Sequence, residues 1–333
     1  MTRLQIESAR PDHPAVAAWR RLGATDGRVA SAVETLQKRR KGRVYRLVGA
    51  GAAGSDVVAK WSSGDRIRRE AVAYEEVLPR LRLGSVRYYG MLAEPDPAGS
   101  WLFVAAAGAE RYAPRLPEHR ALAARWLAAL HGAGWQGPPV TRLPDRGTAY
   151  YRARLASAGE QIRRHLDHPR LEASDAALLA AIVGQCDVLA SRWDDVATLC
   201  SMAPPTVVHG DFAPKNMAVD RKGEALRLQP FDWANAGWGV AAADLAQLDR
   251  APSDYWANPD LDVYFSAMSR HWPRVRRRDV DLLAHVGKVC RTLVCLDLEA
   301  AGLATEWPQA ALRDMRYYHA DLDDALRGVG WHD

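Results

Sequence analysis

Along the first hundred residues, apolar positions come in short runs broken by turn chemistry. Ala32–Leu36, Arg43–Val48 and Asp56–Trp61 are rich in Val, Leu and Tyr and predict three strands, preceded by a short helix over residues 13–23. The period then changes. Across Arg66–Leu81, Ile67, Ala71, Tyr74, Val77, Leu78 and Leu81 fall on one face, which predicts a helix. Val86–Ala93 and Trp101–Ala105 predict two further strands around the turn Pro95-Asp96-Pro97-Ala98-Gly99. After about residue 106 the pattern is mostly helical. Glu118–His131 predicts a helix stopped by Gly132-Ala133-Gly134, and Tyr150–Leu166 and Ser174–Leu199 predict two longer ones, the last opened by Ser174-Asp175. Short strands are expected at Val207–His209, Asn216–Val219 and Leu226–Phe231, the last two joined by a turn at Asp220–Gly223. From Ala241 the chain is helical again, broken near Pro252, Pro259, Pro273 and Pro308. The expected class is α+β, with a small β-rich lobe over residues 1–105 and a larger helical lobe over 106–333.

Composition adds bounds. With 333 residues, 48% apolar and 26% charged, the chain suits a two-lobed globular enzyme. Its longest unbroken apolar runs, such as Leu102–Ala107, are too short to cross a bilayer, so no membrane association is expected. The first residues lack the apolar run and cleavage site of a signal peptide, and a cytoplasmic location is expected. Cys186, Cys200, Cys290 and Cys295 have no metal-ligand spacing and read as buried free thiols. The net charge of +5 is uneven: residues 1–100 carry 18 Lys/Arg against 11 Asp/Glu. No nucleic-acid-binding motif accompanies this excess, so nucleic acid is not the expected partner. An anionic nucleotide on the N-terminal side fits it better. Monomer and homodimer are both left open.

Three elements in the C-terminal lobe fit phosphoryl transfer. Asp211 follows a strand-like run and precedes Asn216 by five positions. A carboxylate there can orient an attacking hydroxyl and accept its proton, and an Asn carbonyl supplies a neutral oxygen for Mg²⁺. Asp232 ends the strand Leu226–Phe231, and the hairpin would bring it beside the same ion as Asn216. His209, two residues before the base, is better placed to brace the loop than to bind metal.

The ordered set His209-Gly210-Asp211-x4-Asn216, Phe231-Asp232-Trp233, Gly237-Trp238-Gly239 and Asp244-Leu245-Ala246 resembles the aminoglycoside phosphotransferase and choline kinase superfamily. The resemblance implies a protein-kinase-like two-lobed fold. It implies Asp211 as catalytic base, Asn216 and Asp232 as Mg²⁺ ligands, and Asp244 as a brace for the catalytic loop. Leu130-His131 resembles a structural Leu-His of the same family. Val57-Val58-Ala59-Lys60 resembles the family's strand bearing the phosphate-binding lysine, with Glu70 as its expected partner and Glu75 and Glu76 as competitors.

The run Gly49-Ala50-Gly51-Ala52-Ala53-Gly54 looks like a phosphate loop, but in such a fold it falls on the far hairpin and reads as a flexible turn. The nucleotide loop is instead assigned to Gln37–Gly42, including Lys41 and Gly42. Family members often carry Ser or Asn there, so the basic loop is a departure. Ala105–Gly108 is the expected hinge, touching adenine through backbone groups without side-chain readout; ATP is the expected donor and GTP is not excluded.

The expected activity is ATP-dependent phosphorylation of a small hydroxyl compound, such as an aminoglycoside or other antibiotic, a sugar or an amino alcohol. An antibiotic acceptor would mean antibiotic resistance. Asp194, Asp195, Asp249, Asp254, Asp297 and Glu299 are candidates for a cationic acceptor. Tyr150, Tyr151, Trp193, Trp238, Trp256 and Trp272 could stack on a sugar or enclose an ammonium. Taken singly, most of these acids read as surface and most of the aromatics as core. Arg274–Arg278 reads as a solvated loop leading to a helix capped near Asp279, or as a feature recognising an anionic acceptor. An inactive kinase-like nucleotide binder is the alternative class, and intact Lys60, Asp211, Asn216 and Asp232 argue against it. A protein kinase fits less well: the loop reads His-Gly-Asp, and only eleven residues separate Asp232 from Asp244, with no room there for a long activation segment.

Overall fold

The computed structural model describes residues 5–24, 28–39, 42–63, 65–94, 99–108, 110–136, 141–223, 225–246 and 259–331. It comprises two compact units, and elements are numbered in chain order across both. The first unit contains Met1–Tyr112, Val140–Leu143 and Lys215–Ala236; the second contains Ala113–Pro139, Pro144–Pro214 and Gly237–Asp333. Where the sequence suggested one cut after residue 105, the chain re-enters the first unit with a hairpin from beyond residue 214.

In the first unit, β1 (Gln5–Ser8), β2 (Ala32–Arg39), β3 (Gly42–Leu47), β4 (Val57–Ser63), β5 (Tyr88–Glu94) and β6 (Gly99–Ala105) form one antiparallel sheet in the order β1-β2-β3-β4-β6-β5. Alternation puts Val33, Tyr45, Leu47, Val57, Ala59, Trp101 and Phe103 in a buried cluster, closed by Val16 and Trp19 of α1 (Pro14–Leu22). A bulge between Thr35 and Gln37 carries β2 past its expected end at Leu36. The helix expected over Arg66–Leu81 is three pieces: α2 (Arg66–Val72), a π turn over Ala73–Val77, and α3 (Leu78–Leu81). The side chains expected on one face, Ile67, Ala71, Tyr74, Val77 and Leu78, are buried along its whole length, with Leu81 half-buried. β10 (Met217–Lys222) and β11 (Ala225–Pro230) form the hairpin, with β7 (Glu110–Arg111) on its outer edge.

The second unit is helical. Its helices are α4 (Pro117–Gln136), α5 (Thr148–Arg163), α6 (Ala173–Ser191), α7 (Trp193–Cys200), α8 (Ala242–Leu245), α9 (Leu261–Met268), α10 (Arg277–Ala300) and α11 (Gln309–Gly328). A small sheet, β8 (Asp145–Arg146), β12 (Gly237–Gly239) and β9 (Thr206–Val208), joins them. Helix α4 continues through Gly132-Ala133-Gly134 rather than stopping there. A Cβ on Gly132 would lie 2.5 Å from the His271 ring, and one on Gly134 would lie 2.5 Å from Thr206 Oγ1. Those glycines serve close packing, which a helix tolerates at modest cost.

The helix expected over Ser174–Leu199 breaks at Arg192 into α6 and α7. Helix α6 has the length and mean hydropathy, 1.4, of a membrane span. Its buried side chains include Leu179, Ile182, Cys186 and Leu189, and Gln185 Nε2 donates to the His319 carbonyl on α11 at 3.1 Å. Asp279 receives the Arg276 amide at 2.8 Å, which opens α10 where the sequence placed a cap. The neighbouring Cys200 thiol, together with burial, pushes the Cys290 thiol up.

Candidate active site

In the first unit, the centre strand β4 delivers Lys60 and helix α2 delivers Glu70. Lys60 Nζ lies 2.5 Å from Glu70 Oε2 and also donates to Asp232 Oδ1. Glu70 is 2% exposed, and burial raises its pKa despite Lys60. For Lys60, burial alone would lower the ammonium's pKa; the charges of Glu70 and Asp232 outweigh it and raise it. The competitors are engaged elsewhere: Glu75 accepts from the Tyr88 hydroxyl at 2.7 Å, and Glu76 pairs with Arg142.

The hairpin brings Asn216 and Asp232 to neighbouring positions. Met217 pairs with Pro230, and the Phe231 amide donates to the Asn216 carbonyl at 2.9 Å. Asp232 has φ 62° and ψ 59°. This left-handed conformation is one that Asp tolerates better than most residues, and such positions cluster at functional sites. A carboxylate and an Asn amide oxygen are hard donors, and Mg²⁺ characteristically takes one or two carboxylates and fills its shell with phosphate and water. The residues present fit that ion. Among the described residues no group of three or more His, Cys, Asp or Glu could hold a metal.

The expected nucleotide loop differs from its sequence reading. Gln37, Lys38 and Arg39 are strand residues of β2 paired with Val44, Arg43 and Gly42, so Gly42 belongs to β3 rather than to a loop. The continued β2–β3 ladder leaves only residues 40–41 between the strands. Lys41 lies outside the described residues, as do Asp249, Asp254 and Trp256. The glycine run is a bonded turn rather than a slack one. Its Gly49, Gly51 and Ala52 amides donate to Asp56 Oδ1, the Ser55 carbonyl and the Tyr89 hydroxyl. At the expected hinge, the Ala105 amide donates to the Arg87 carbonyl at 2.7 Å and the Ala106 amide to the Asp56 carbonyl at 2.9 Å. The Gly108 amide donates to Gln229 Oε1 at 2.7 Å.

In the second unit, β9 leads directly into the loop His209-Gly210-Asp211, and its partner β12 is the Gly237-Trp238-Gly239 segment. Asp244, at the start of α8, is fully buried. Its Oδ2 accepts the His209 amide at 2.6 Å and its Oδ1 accepts the Gly210 amide at 2.9 Å. Burial works against this carboxylate's charge, but the His131 side chain, with the His209 ring and amide, holds it below the usual carboxylate value. His131 contacts it at 3.5 Å and meets the Tyr264 hydroxyl at 2.8 Å on its other nitrogen. The His209 ring accepts the Asp211 amide at 3.3 Å and packs edge-on against Phe212, which stacks on Trp126.

Asp211 is 7% exposed, and its Oδ1 accepts from Arg291 Nη2 at 2.6 Å. Arg291 sits in the middle of α10, and sequence reasoning passed over it. One signal could have found it: a guanidinium within Val289-Cys290-Arg291-Thr292-Leu293-Val294-Cys295 requires a buried partner.

Several of the acceptor candidates are committed. Asp297 is held by Arg154 at 2.6 Å and Gln161 at 3.0 Å. Asp194 and Asp195 are exposed on α7. Tyr151, Trp193 and Trp272 are core residues. Half-buried Tyr150 carries the guanidinium groups of Arg146 and Arg154 at 4.2 and 5.2 Å from its ring centre.

A model of the phosphotransferase enzyme family matches residues 93–278. Among curated proteins, no sequence matches this chain. Solved structures similar in fold include a spectinomycin phosphotransferase in complex with ADP and spectinomycin, at 12% identity and TM-score 0.63, covering 96% of this chain and 99% of that one. A choline kinase from Cryptosporidium parvum Iowa II is similar at 11% identity and TM-score 0.60, covering 89% and 88%. An ethanolamine kinase from Plasmodium vivax is similar at 11% identity and TM-score 0.56, covering 88% and 81%.

Proposed function

We propose, for a chain that belongs to the phosphotransferase enzyme family, that it is an ATP-dependent kinase phosphorylating a hydroxyl of a small acceptor. The observation that carries the reading is the buried Lys60–Glu70 pair joined to Asp232. A lysine fixed by a carboxylate on the neighbouring helix is a point charge awaiting phosphate oxygens. The neighbour bound to ADP supports a nucleotide donor. Asn216 and Asp232 would hold Mg²⁺, which would neutralise charge on the phosphates. At the hinge, the carbonyls and the Ala107 amide would meet the adenine edge.

Asp211 receives the acceptor's hydroxyl proton. The new bond forms between that oxygen and the γ-phosphorus, the bond from the γ-phosphorus to the β,γ-bridging oxygen breaks, and ADP leaves with the electron pair. Asp244 and His209 keep the loop in one conformation, so the base meets the hydroxyl without reorganisation. The acceptor belongs to the class of antibiotics such as aminoglycosides, sugars and amino alcohols, and the reaction belongs in the cytoplasm with its Mg·ATP.

The test is ADP or GDP release from Mg·ATP or Mg·GTP across a panel of aminoglycosides, peptide antibiotics, sugars and amino alcohols. Release that depends on one acceptor, with the phosphorylated product seen by mass, supports the reading. No release with any acceptor while Mg·ATP still binds would favour the inactive nucleotide binder; no release together with no binding of Mg·ATP would favour a non-kinase reading.

A further inference from the structure

We propose that Arg291 is a positioning residue for Asp211: it fixes the carboxylate's orientation and keeps it ionised for proton transfer. The inference rests on the reading of Asp211 as base, and the contact behind it is independent of that reading. Arg291 is 5% exposed. Its Nη2 donates to Asp211 Oδ1 at 2.6 Å, while its Nη1 donates to the Gly210 carbonyl. One planar fork therefore binds both the side chain of the base and the peptide just before it, a geometry that lysine cannot reproduce.

Asp244 binds the amides of His209 and Gly210. The loop is thus held through its N–H groups by α8 and through a carbonyl and the Asp211 carboxylate by α10. The two helices touch at Gly287, one turn before Arg291, where a Cβ would lie 1.9 Å from the Ala242 carbonyl oxygen.

Burial disfavours the guanidinium's charge, and Asp211, acting with Cys295, Tyr151 and Asp244, outweighs it and raises the guanidinium's pKa. The attraction is mutual, so Arg291 favours the ionised form of Asp211. The His209 ring also faces Asp211, accepting its amide.

Aspartate labelled with ¹³C at Cγ in the full-length protein tests this without an acceptor. The Asp211 signal is identified as the one missing in Asp211→Asn. In Arg291→Met it is expected to titrate at higher pH than in the wild type, with Arg291→Lys between the two. Should the Met variant fail to fold, the Lys variant carries the comparison. An unchanged titration midpoint in the folded variants overturns the proposal. With an acceptor in hand, Arg291→Lys should lower kcat at least tenfold with little change in the KM for Mg·ATP, and its acid limb should move up in pH. Turnover retained by Asp211→Asn would overturn the base assignment, whereas wild-type kcat and pH profile in Arg291→Lys beside an inactive Asp211→Asn would overturn only the role of Arg291.

Discussion

Replacing Asp244 by Ala removes the acceptor for two buried peptide N–H groups, those of His209 and Gly210, at 2.6 and 2.9 Å. A buried donor left without a partner costs about 1–3 kcal/mol, so the two together cost about 2–6 kcal/mol. Removing a fully buried carboxylate also relieves its desolvation, which offsets part of that loss. A net destabilisation of about 3 kcal/mol is expected, a large share of the 5–15 kcal/mol typical of a folded domain. The effect is local first. Hydrogen exchange at His209 and Gly210 should accelerate about a hundredfold, because those amides lose the carboxylate that accepts them. Urea unfolding gives the global figure, and Asp244→Asn, which keeps one acceptor oxygen, should fall between Ala and wild type. A displaced loop should also cost about 100-fold in turnover. If Asp244→Ala unfolds within about 0.5 kcal/mol of wild type, a shift typical of a bland surface change, and protects both amides equally, the reasoning fails.

Other outcomes follow from the same contacts. Asp244 is held below its ordinary value of 3.8, so its contribution is fully present above that pH and is lost as pH falls through the lower folded value; Asp244→Asn should flatten the acid limb of a stability-versus-pH curve. Gly287→Ala should destabilise the second unit by about 2 kcal/mol or more, read by urea unfolding, because its Cβ meets the Ala242 carbonyl. Lys60→Met should raise the Kd for Mg·ATP about tenfold or more, equivalent to about 1.4 kcal/mol, in calorimetry, with Glu70 taking up a proton in place of its lost partner; unchanged nucleotide affinity would remove Lys60 from the phosphate site.

The loop His209-Gly210-Asp211 after a short strand was legible because its spacing is local. Asn216 and Asp232 flank one hairpin, and short-range spacing fixes such neighbours. Lys60 was legible for the same reason, being a charge on an otherwise apolar strand. Glu70 was already the expected partner of Lys60, and the structure sets its competitors against others: Glu75 meets Tyr88 and Glu76 meets Arg142. Arg291 was missed because its partner lies 80 positions away, and periodicity gives a face without naming what packs there. The glycines of α4 misled because a turn signal and a close-packing signal are written with the same residue. The tip of the β2–β3 hairpin misled because a run of charges reads as loop, while a bulge allowed Gln37–Arg39 to continue the strand.

The most direct test of the account is Asp211→Asn, assayed for nucleotide binding and for transfer to an acceptor the wild type uses. The account predicts Mg·ATP affinity within about twofold of wild type, since Lys60, Glu70 and Asp232 are untouched, and turnover reduced by about 10²–10⁴, the range general-base catalysis contributes. Wild-type turnover in that variant would contradict it.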